Sequence, residues 1–375
     1  MESDSDWIVE IQEGRVGLFG RGSQTHLHGD PEVLESIIKG TISGVEAFLD
    51  GRLRVRGNIA LSLQIEGIFA SRPRSRRFPR PATVRAGGID TFYLEAGSGP
   101  PVVLLHGLGA TNASMLPTLW DLARDHRVIA PDLPGFGGSA KPLTTYGFPF
   151  FARWLRDFLD ALGVERAHLV GNSLGGRISL EAGLQLPDRI DRMVLYCPSP
   201  AFLAGRQYTP FVRLLRPELA MVPMLLTHGA VVGMARSMFS DPERLQPGWY
   251  DAFADEFLRV FGTPRGRIAF FSAAREVYLE EPRGERGFWD RLPAMERPAL
   301  FIWGEKDWLV PASFEHHVTD ALPRATSIVI EDCGHVPQYE HRARTAELTR
   351  GFLRDGGKTA PRRGARRAGP GPRRQ

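Results

Sequence analysis

The apolar positions of this chain change rhythm near residue 80. Beyond it they fall into short solid blocks at 102–105, 128–130, 167–170, 193–196, 299–303 and 327–330, most of them separated by helically spaced stretches. Solid blocks of that length predict strands buried on both faces, and helices between them predict a mainly parallel sheet. Residues 82–96 read as an opening hairpin. Between Ser199 and about Leu292 no such block occurs. That stretch is apolar and helical in pattern, through Met221, Leu225, Met234, Phe253, Phe257 and Phe261, and predicts a helical insertion over about 200–292.

Before residue 71 the pattern is of another kind. Trp7–Gln12 alternates, Glu13-Gly14 offers a turn, and Arg15–Phe19 returns, which predicts a hairpin. Ser23–His28 alternates again. Asp30 as cap and Pro31 in the first turn open a helix whose Val33, Leu34, Ile37 and Ile38 share one face. Residues 71–82 are basic, broken by prolines and without periodicity, and read as a linker. The chain therefore divides into an α+β module over 1–70, the linker, and an α/β domain over 83–355. A tail over 356–375, rich in Pro, Gly and Arg, reads as disordered.

The chemistry sits at the ends of the apolar blocks. Gly171-Asn172-Ser173-Leu174-Gly175 lies between a strand pattern and a helix pattern, the context of a nucleophile elbow. Glycines two residues either side of a serine suit a turn too tight for side chains. The block at 102–105 ends in His106-Gly107-Leu108-Gly109, a turn able to offer a backbone N–H to an oxyanion, with the N–H of Leu174 as the second donor. The block at 299–303 runs into Gly304-Glu305-Lys306-Asp307, and the block at 327–330 into a loop that ends at His335. Serine, acid and histidine in that order predict Ser173 as nucleophile, His335 as general base and Asp307 as its orienting acid. Glu305 and Asp332 are rival acids in the same loops, and Asp132 reads as a structural loop residue.

On these motifs residues 83–355 resemble the α/β-hydrolase superfamily. The resemblance implies an α/β fold with a helical cap over about 200–292 and a catalytic triad. It also favours Asp307, which stands three residues beyond the glycine of Trp303-Gly304, where that superfamily places its acid. A serine at the elbow, where dehalogenases and epoxide hydrolases of this fold carry aspartate, leaves acyl transfer to water or carbon–carbon bond hydrolysis. Separately, Phe48-Leu49-Asp50-Gly51-Arg52-Leu53-Arg54-Val55-Arg56-Gly57-Asn58, followed by apolar Ile59–Leu63, resembles the C-terminal half of sterol-carrier-protein-type lipid-transfer domains over about residues 7–70. That resemblance implies a lipid ligand, or a docking or dimerisation module that kept only the fold.

Composition adds limits. The net charge of +4 is carried by seven cations between Lys358 and Arg374, so the rest of the chain is slightly acidic. Nothing aromatic is interleaved with those cations, so nucleic acid is not an expected partner. Peripheral contact with anionic lipid is the alternative to a merely solvated tail. Cys197 and Cys333 make no disulfide framework, and the first residues are acidic and polar, so a reduced, cytoplasmic enzyme is expected. No histidine or cysteine cluster has metal-ligand spacing, and no cofactor is expected. The expected activity is a serine hydrolase (a carboxylic ester hydrolase) acting on a small hydrophobic ester or acyl substrate. The alternatives are a carbon–carbon bond hydrolase of ring-cleavage products and a lipid-binding scaffold with little turnover.

Overall fold

The computed structural model describes residues 8–355, apart from 13–14, 21–22, 64–65, 67–74, 202–211, 213–215 and 223–224. The tail over 356–375 and the first residues of the linker lie outside the described residues.

The solid apolar blocks are strands of one sheet. It is built from β5 (Arg80–Ala86), β6 (Ile89–Gly97), β7 (Pro101–Leu105), β8 (Arg127–Pro131), β9 (Ala167–Asn172), β10 (Ile190–Tyr196), β11 (Ala299–Gly304) and β12 (Thr326–Ile330). Their order across the sheet is β12-β11-β10-β9-β7-β8-β6-β5. The strands from β7 onward pair in parallel, and β6 joins β8 and β5 antiparallel. Both faces of the parallel part are covered, which is why β7 and β9 are buried along almost their whole length without alternation.

Helices supply the cover. In chain order they are α1 (Pro31–Ile38), α2 (Gly44–Leu49), α3 (Ile59–Ser62), α4 (Leu116–Leu122), α5 (Phe148–Ala161), α6 (Leu174–Gln185), α7 (His228–Ser237), α8 (Pro247–Phe261), α9 (Pro264–Leu279), α10 (Phe288–Arg291), α11 (Phe314–Ala321), α12 (Pro337–Glu340) and α13 (Arg342–Asp355). In α5, Phe148, Phe151, Trp154, Leu155, Phe158 and Leu159 recur every three or four residues and are all buried. Each such side chain contributes about 1.5–3 kcal/mol of burial. Helices α7 to α10 form the insertion between β10 and β11, so the expected cap is a helical layer. Among the described residues no helix is long and apolar enough to cross a membrane.

The N-terminal pattern gives a second, four-stranded antiparallel sheet, ordered β1 (Ile8–Gln12), β2 (Arg15–Gly20), β3 (Ser23–Gly29), β4 (Leu53–Gly57). Gln12 pairs with Arg15, as the hairpin reading requires. Helix α1 starts at Pro31 after Asp30, although the Asp30 side chain makes no capping bond.

The module is not set apart from the larger domain. Leu53 and Val55 of β4 point inward, and Arg54 and Arg56 point outward. The inward side joins a continuous apolar cluster with Leu94, Val102, Leu116 and Leu119 of the larger domain. On the outward side, Arg56 pairs with Asp255 of α8 at 2.7 Å. The Gly57 N–H donates to the same carboxylate at 2.9 Å, and the Ile59 N–H donates to Glu256 Oε1 at 2.9 Å.

The segment read as a linker is anchored where it is described. The Arg77 guanidinium lies 3.9 Å from the centre of the Trp120 ring, Phe78 stacks on the same ring, and β5 already begins at Arg80. Its basic, proline-broken composition read as a linker. Arginine on an aromatic face is held by cation–π attraction and by packing of its apolar stem instead.

This shared core has a measurable consequence. Removing residues 1–75 uncovers the α4 face and leaves Glu256 buried without its Ile59 partner. The truncated chain is expected to melt well below the full-length protein or to aggregate. An unchanged melting temperature by circular dichroism would show that the contact contributes nothing.

Candidate active site

The strand-to-helix turn at Ser173 is tight enough to be read from its neighbours. Ser173 has φ 54° and ψ −114°, a region that L residues occupy only when their surroundings impose it. A Cβ on Gly171 would stand 2.4 Å from the Gly175 carbonyl, and a Cβ on Gly175 would stand 2.0 Å from Leu105 O of β7. Both neighbours are backbone and cannot swing away. The turn is fixed by Ser173 N–H to Tyr196 O at 2.9 Å, and by Arg177 N–H and Ser199 N–H donating to Ser173 O.

Helix α6 behind the turn is itself anchored. Arg177 is fully buried between the rings of Phe148 and Phe288 and pairs with Glu181 and Glu280. Burial opposes ionisation of Glu181, but hydrogen bonds from Arg291 and the charge of Arg177 outweigh it and hold the carboxyl down at about 2.

The histidine loop is built by a different set of contacts. His335 Nδ1 lies 2.7 Å from Asp307 Oδ2, and both side chains are buried. Asp307 Oδ1 accepts the N–H groups of Leu309 and Val310, both at 2.9 Å, so the carboxylate is fixed by its own loop. The His335 N–H donates to Met238 O of the cap at 2.7 Å. Glu340 accepts from Gly334 N–H and from Ser240 N–H, both at 3.0 Å, and so ties the cap to this loop.

The rival acids are occupied elsewhere. Asp332 is exposed, and hydrogen bonds from Lys306 and then Arg244 hold its carboxyl below the usual range. Glu305 accepts the Asp332 N–H. Asp132 accepts the N–H groups of Asn112 and Gly138, each at 2.7 Å, which is a loop-shaping role. His106, in the turn after β7, accepts the Leu133 N–H at Nε2 and lies against Gly107 O at Nδ1. Burial lowers its pKa to about 4, so it is neutral and structural.

Ser173 and His335 meet on the wall of one cavity of about 160 Å³. The wall also includes Leu108, Leu174, Ser199, Met238, Trp249, Phe253, Val277 and Tyr278. Both residues expected to offer oxyanion N–H groups thus border the serine. The Ser173 hydroxyl lies 3.3 Å from Ser199 Oγ. Ser199 escaped sequence reasoning, although the parallel pairing of Tyr196 with Asn172 carries the chain after β10 alongside the elbow. Glu340, Ser240 and Arg177 were missed as well, because Ser240 and Glu280 are remote from Glu340 and Arg177 in sequence; of these partners only Glu181 stands close, four residues after Arg177.

Cys197, Asp307 and His335 bring ligand atoms within 4.8 Å of one another, a spacing that could hold a metal. Burial raises the Cys197 thiol well above its ordinary range, so it is a protonated, poor ligand at neutral pH. Both cysteines are free.

Known proteins match both parts of the chain. The profile of the alpha/beta hydrolase fold family matches residues 100–342, and that of the SCP-2 sterol transfer family matches residues 2–70. The 2-hydroxymuconate semialdehyde hydrolase of Pseudomonas sp. (strain CF600) is 30% identical over 279 residues, 72% of this chain and 92% of that one. The 2-hydroxy-6-oxo-2,4-heptadienoate hydrolase of Pseudomonas putida is 29% identical over 281 residues, covering 72% and 95%. A solved membrane phospholipase A, described as a bacterial virulence factor, superposes with TM-score 0.64 at 26% identity, covering 76% of this chain and 88% of that one.

A Cβ at 175 must displace the backbone of β7. Gly175→Ala is therefore expected to cost on the order of 1–3 kcal/mol or more and to lower the melting temperature. Gly229→Ala, on an open face of α7 with nothing within 4 Å of the added carbon, serves as the silent control. Equal melting points for the two variants would contradict the close approach.

Proposed function

The chain belongs to the α/β-hydrolase family, and we propose that it is a serine hydrolase of hydrophobic carboxylic esters. The observation that carries this reading is the pairing of a strained, cavity-facing Ser173 with a His335–Asp307 pair on the same apolar wall. As substrate enters, the Ser173 hydroxyl turns from Ser199 to His335 Nε2. Hydrogen bonds of this kind are often loose before substrate binds. Ser173 Oγ attacks the ester carbonyl as His335 takes its proton, and Asp307 holds the imidazole tautomer and stabilises the imidazolium. The N–H groups of Leu108 and Leu174 receive the oxyanion. His335 returns the proton to the departing alcohol, leaving an acyl group on Ser173. Water, deprotonated by the same histidine, then releases the acid. Each step uses protein groups and water, with no cofactor.

A second reading has specific support. Both hydrolases named above act, by their names, on muconate or dienoate derivatives, which are carboxylates. Carbon–carbon bond hydrolysis could use the same serine and histidine. Among the described residues the cavity wall carries no Lys or Arg. A carboxylate buried there would lose its hydration without a counter-cation, whereas a neutral ester loses little. That electrostatic difference favours the ester.

Nitrophenyl esters of graded chain length and a 2-hydroxy-6-oxo-dienoate, offered in parallel, separate the two. Ester turnover with negligible loss of the dienoate chromophore is expected, and the reverse pattern would establish the second reading. Added chelator should leave the ester rate unchanged.

Ser173→Ala and His335→Ala should each remove nearly all ester turnover, and the double variant should be little worse, because the residues act as a unit. Asp307→Asn should be less complete.

A further inference from the structure

The N-terminal module docks on the helix that walls the catalytic cavity. Helix α8 presents Trp249 and Phe253 to that cavity and Asp255 and Glu256 to the module. The approach is close along its length. A Cβ on Gly51 would stand 2.3 Å from Gln246 Cγ, and one on Gly248 would stand 3.0 Å from Arg54 Cγ.

Between module and catalytic cavity lies a gap of about 20 Å³, room for roughly one water. It shares Ala110, Ser114, Trp249 and Phe253 with the catalytic cavity, and its far wall is Ile59 of α3, beside Phe257 and Tyr339. On the other side of Ile59 is the module's own interior cavity, about 10 Å³ among Ile37, Val45, Phe48, Leu53 and Leu63. Ile59 is buried and borders both spaces. Its backbone is fixed by the bond to Glu256, whose other oxygen pairs with Arg259. The one carboxylate at the gap is thereby engaged, and the residue that meets the space from the module is Ile59.

We propose that the Ile59 side chain closes the distal end of the substrate's acyl site, so that the N-terminal module sets the chain length the enzyme accepts. An acyl chain bound at Ser173 runs past Trp249 and Phe253 toward the gap and ends against Ile59. With the side chain shortened, the gap and the module's interior become one continuous channel, lined mainly by apolar residues beside the engaged Glu256 carboxylate. This rests on the ester reading.

The test compares the full-length chain with Ile59→Ala, Ile59→Val and Ile59→Phe on nitrophenyl acetate, butyrate, octanoate and dodecanoate. Acetate, too short to reach the partition, is the internal reference. Relative to acetate, Ile59→Ala is expected to raise kcat/KM for octanoate and dodecanoate roughly tenfold, the low end of what one methylene is worth in a hydrophobic pocket. The change should fall mainly in KM. Ile59→Val should give the same shift in smaller measure, and Ile59→Phe should move the preference toward shorter chains. Ile59→Val removes a single methylene and carries the test if Ile59→Ala fails to fold. Activities that change by one common factor at all chain lengths in Ile59→Val and Ile59→Phe would overturn the proposal and leave the ester reading standing. Wild-type protein that hydrolyses no ester of any length would overturn both.

Discussion

The fold is organised around one close approach, the turn at Ser173 against the end of β7. Strand β9 can sit between β7 and β10 and still reverse into α6 only if the backbone at 175 passes against Leu105 O with no side chain between. The strain this places on Ser173 costs on the order of 1–3 kcal/mol. Its surroundings over-determine it. Three backbone hydrogen bonds hold the residue, and α6 is anchored by a buried arginine that two glutamates and two aromatic rings share. Removing Arg177 would leave Glu280 without its guanidinium partner and Glu181 with the Arg291 guanidinium alone.

What the amino-acid pattern made legible follows from how local each signal is. The strands from 102 to 330 were readable because burial on both faces writes an unbroken apolar block. The elbow glycines were readable because the clash they avoid lies within the turn and the strand beside it. Asp307 was distinguished from Glu305 and Asp332 by its place after Trp303-Gly304, and the structure places it against His335. Ser199, Glu340 and the distant half of the Arg177 cluster were invisible because their partners lie far along the chain; Glu181, four residues after Arg177, is the local exception. Glu340 meets Ser240 from 100 residues away, and Arg177 meets Glu280 from 103. The docking of the module was misjudged for a related reason. Composition at 71–82 reads as a linker, whereas the contacts that fix the module come from β4 and α8, nearly 200 residues apart.

The two sides of the candidate site draw on different sets of contacts and are joined by the Asn172 side-chain amide, which donates to His335 O at 3.2 Å. Ser173 is held by β7, β10 and α6, all within the central sheet and its cover. His335 is held on one side by Asp307 and on the other by the cap, through Met238 O and through Glu340. Aromatic packing extends that second support. Trp249 of α8 lies 4.5 Å, centre to centre, from Tyr339, and Phe239 packs on Tyr250. Helix α8 in turn bears the module through Asp255 and Glu256.

Module, cap and histidine loop therefore form one mechanical series. A disturbance in the N-terminal sheet reaches the site through α8, where it can alter the cavity wall at Trp249 and Phe253 or the placement of His335. The series meets the elbow where the Asn172 side-chain amide donates to His335 O at 3.2 Å, and meets α6 where Arg177 contacts Glu280 and Phe288 of the insertion. In a protein interior packed to near-crystalline density such displacements are transmitted rather than absorbed. The chain thus combines a strained nucleophile fixed chiefly by the sheet with a substrate wall drawn in part from the cap. The group that must not move is tied to the sheet, and the surfaces that choose the substrate are tied to the elements added around it.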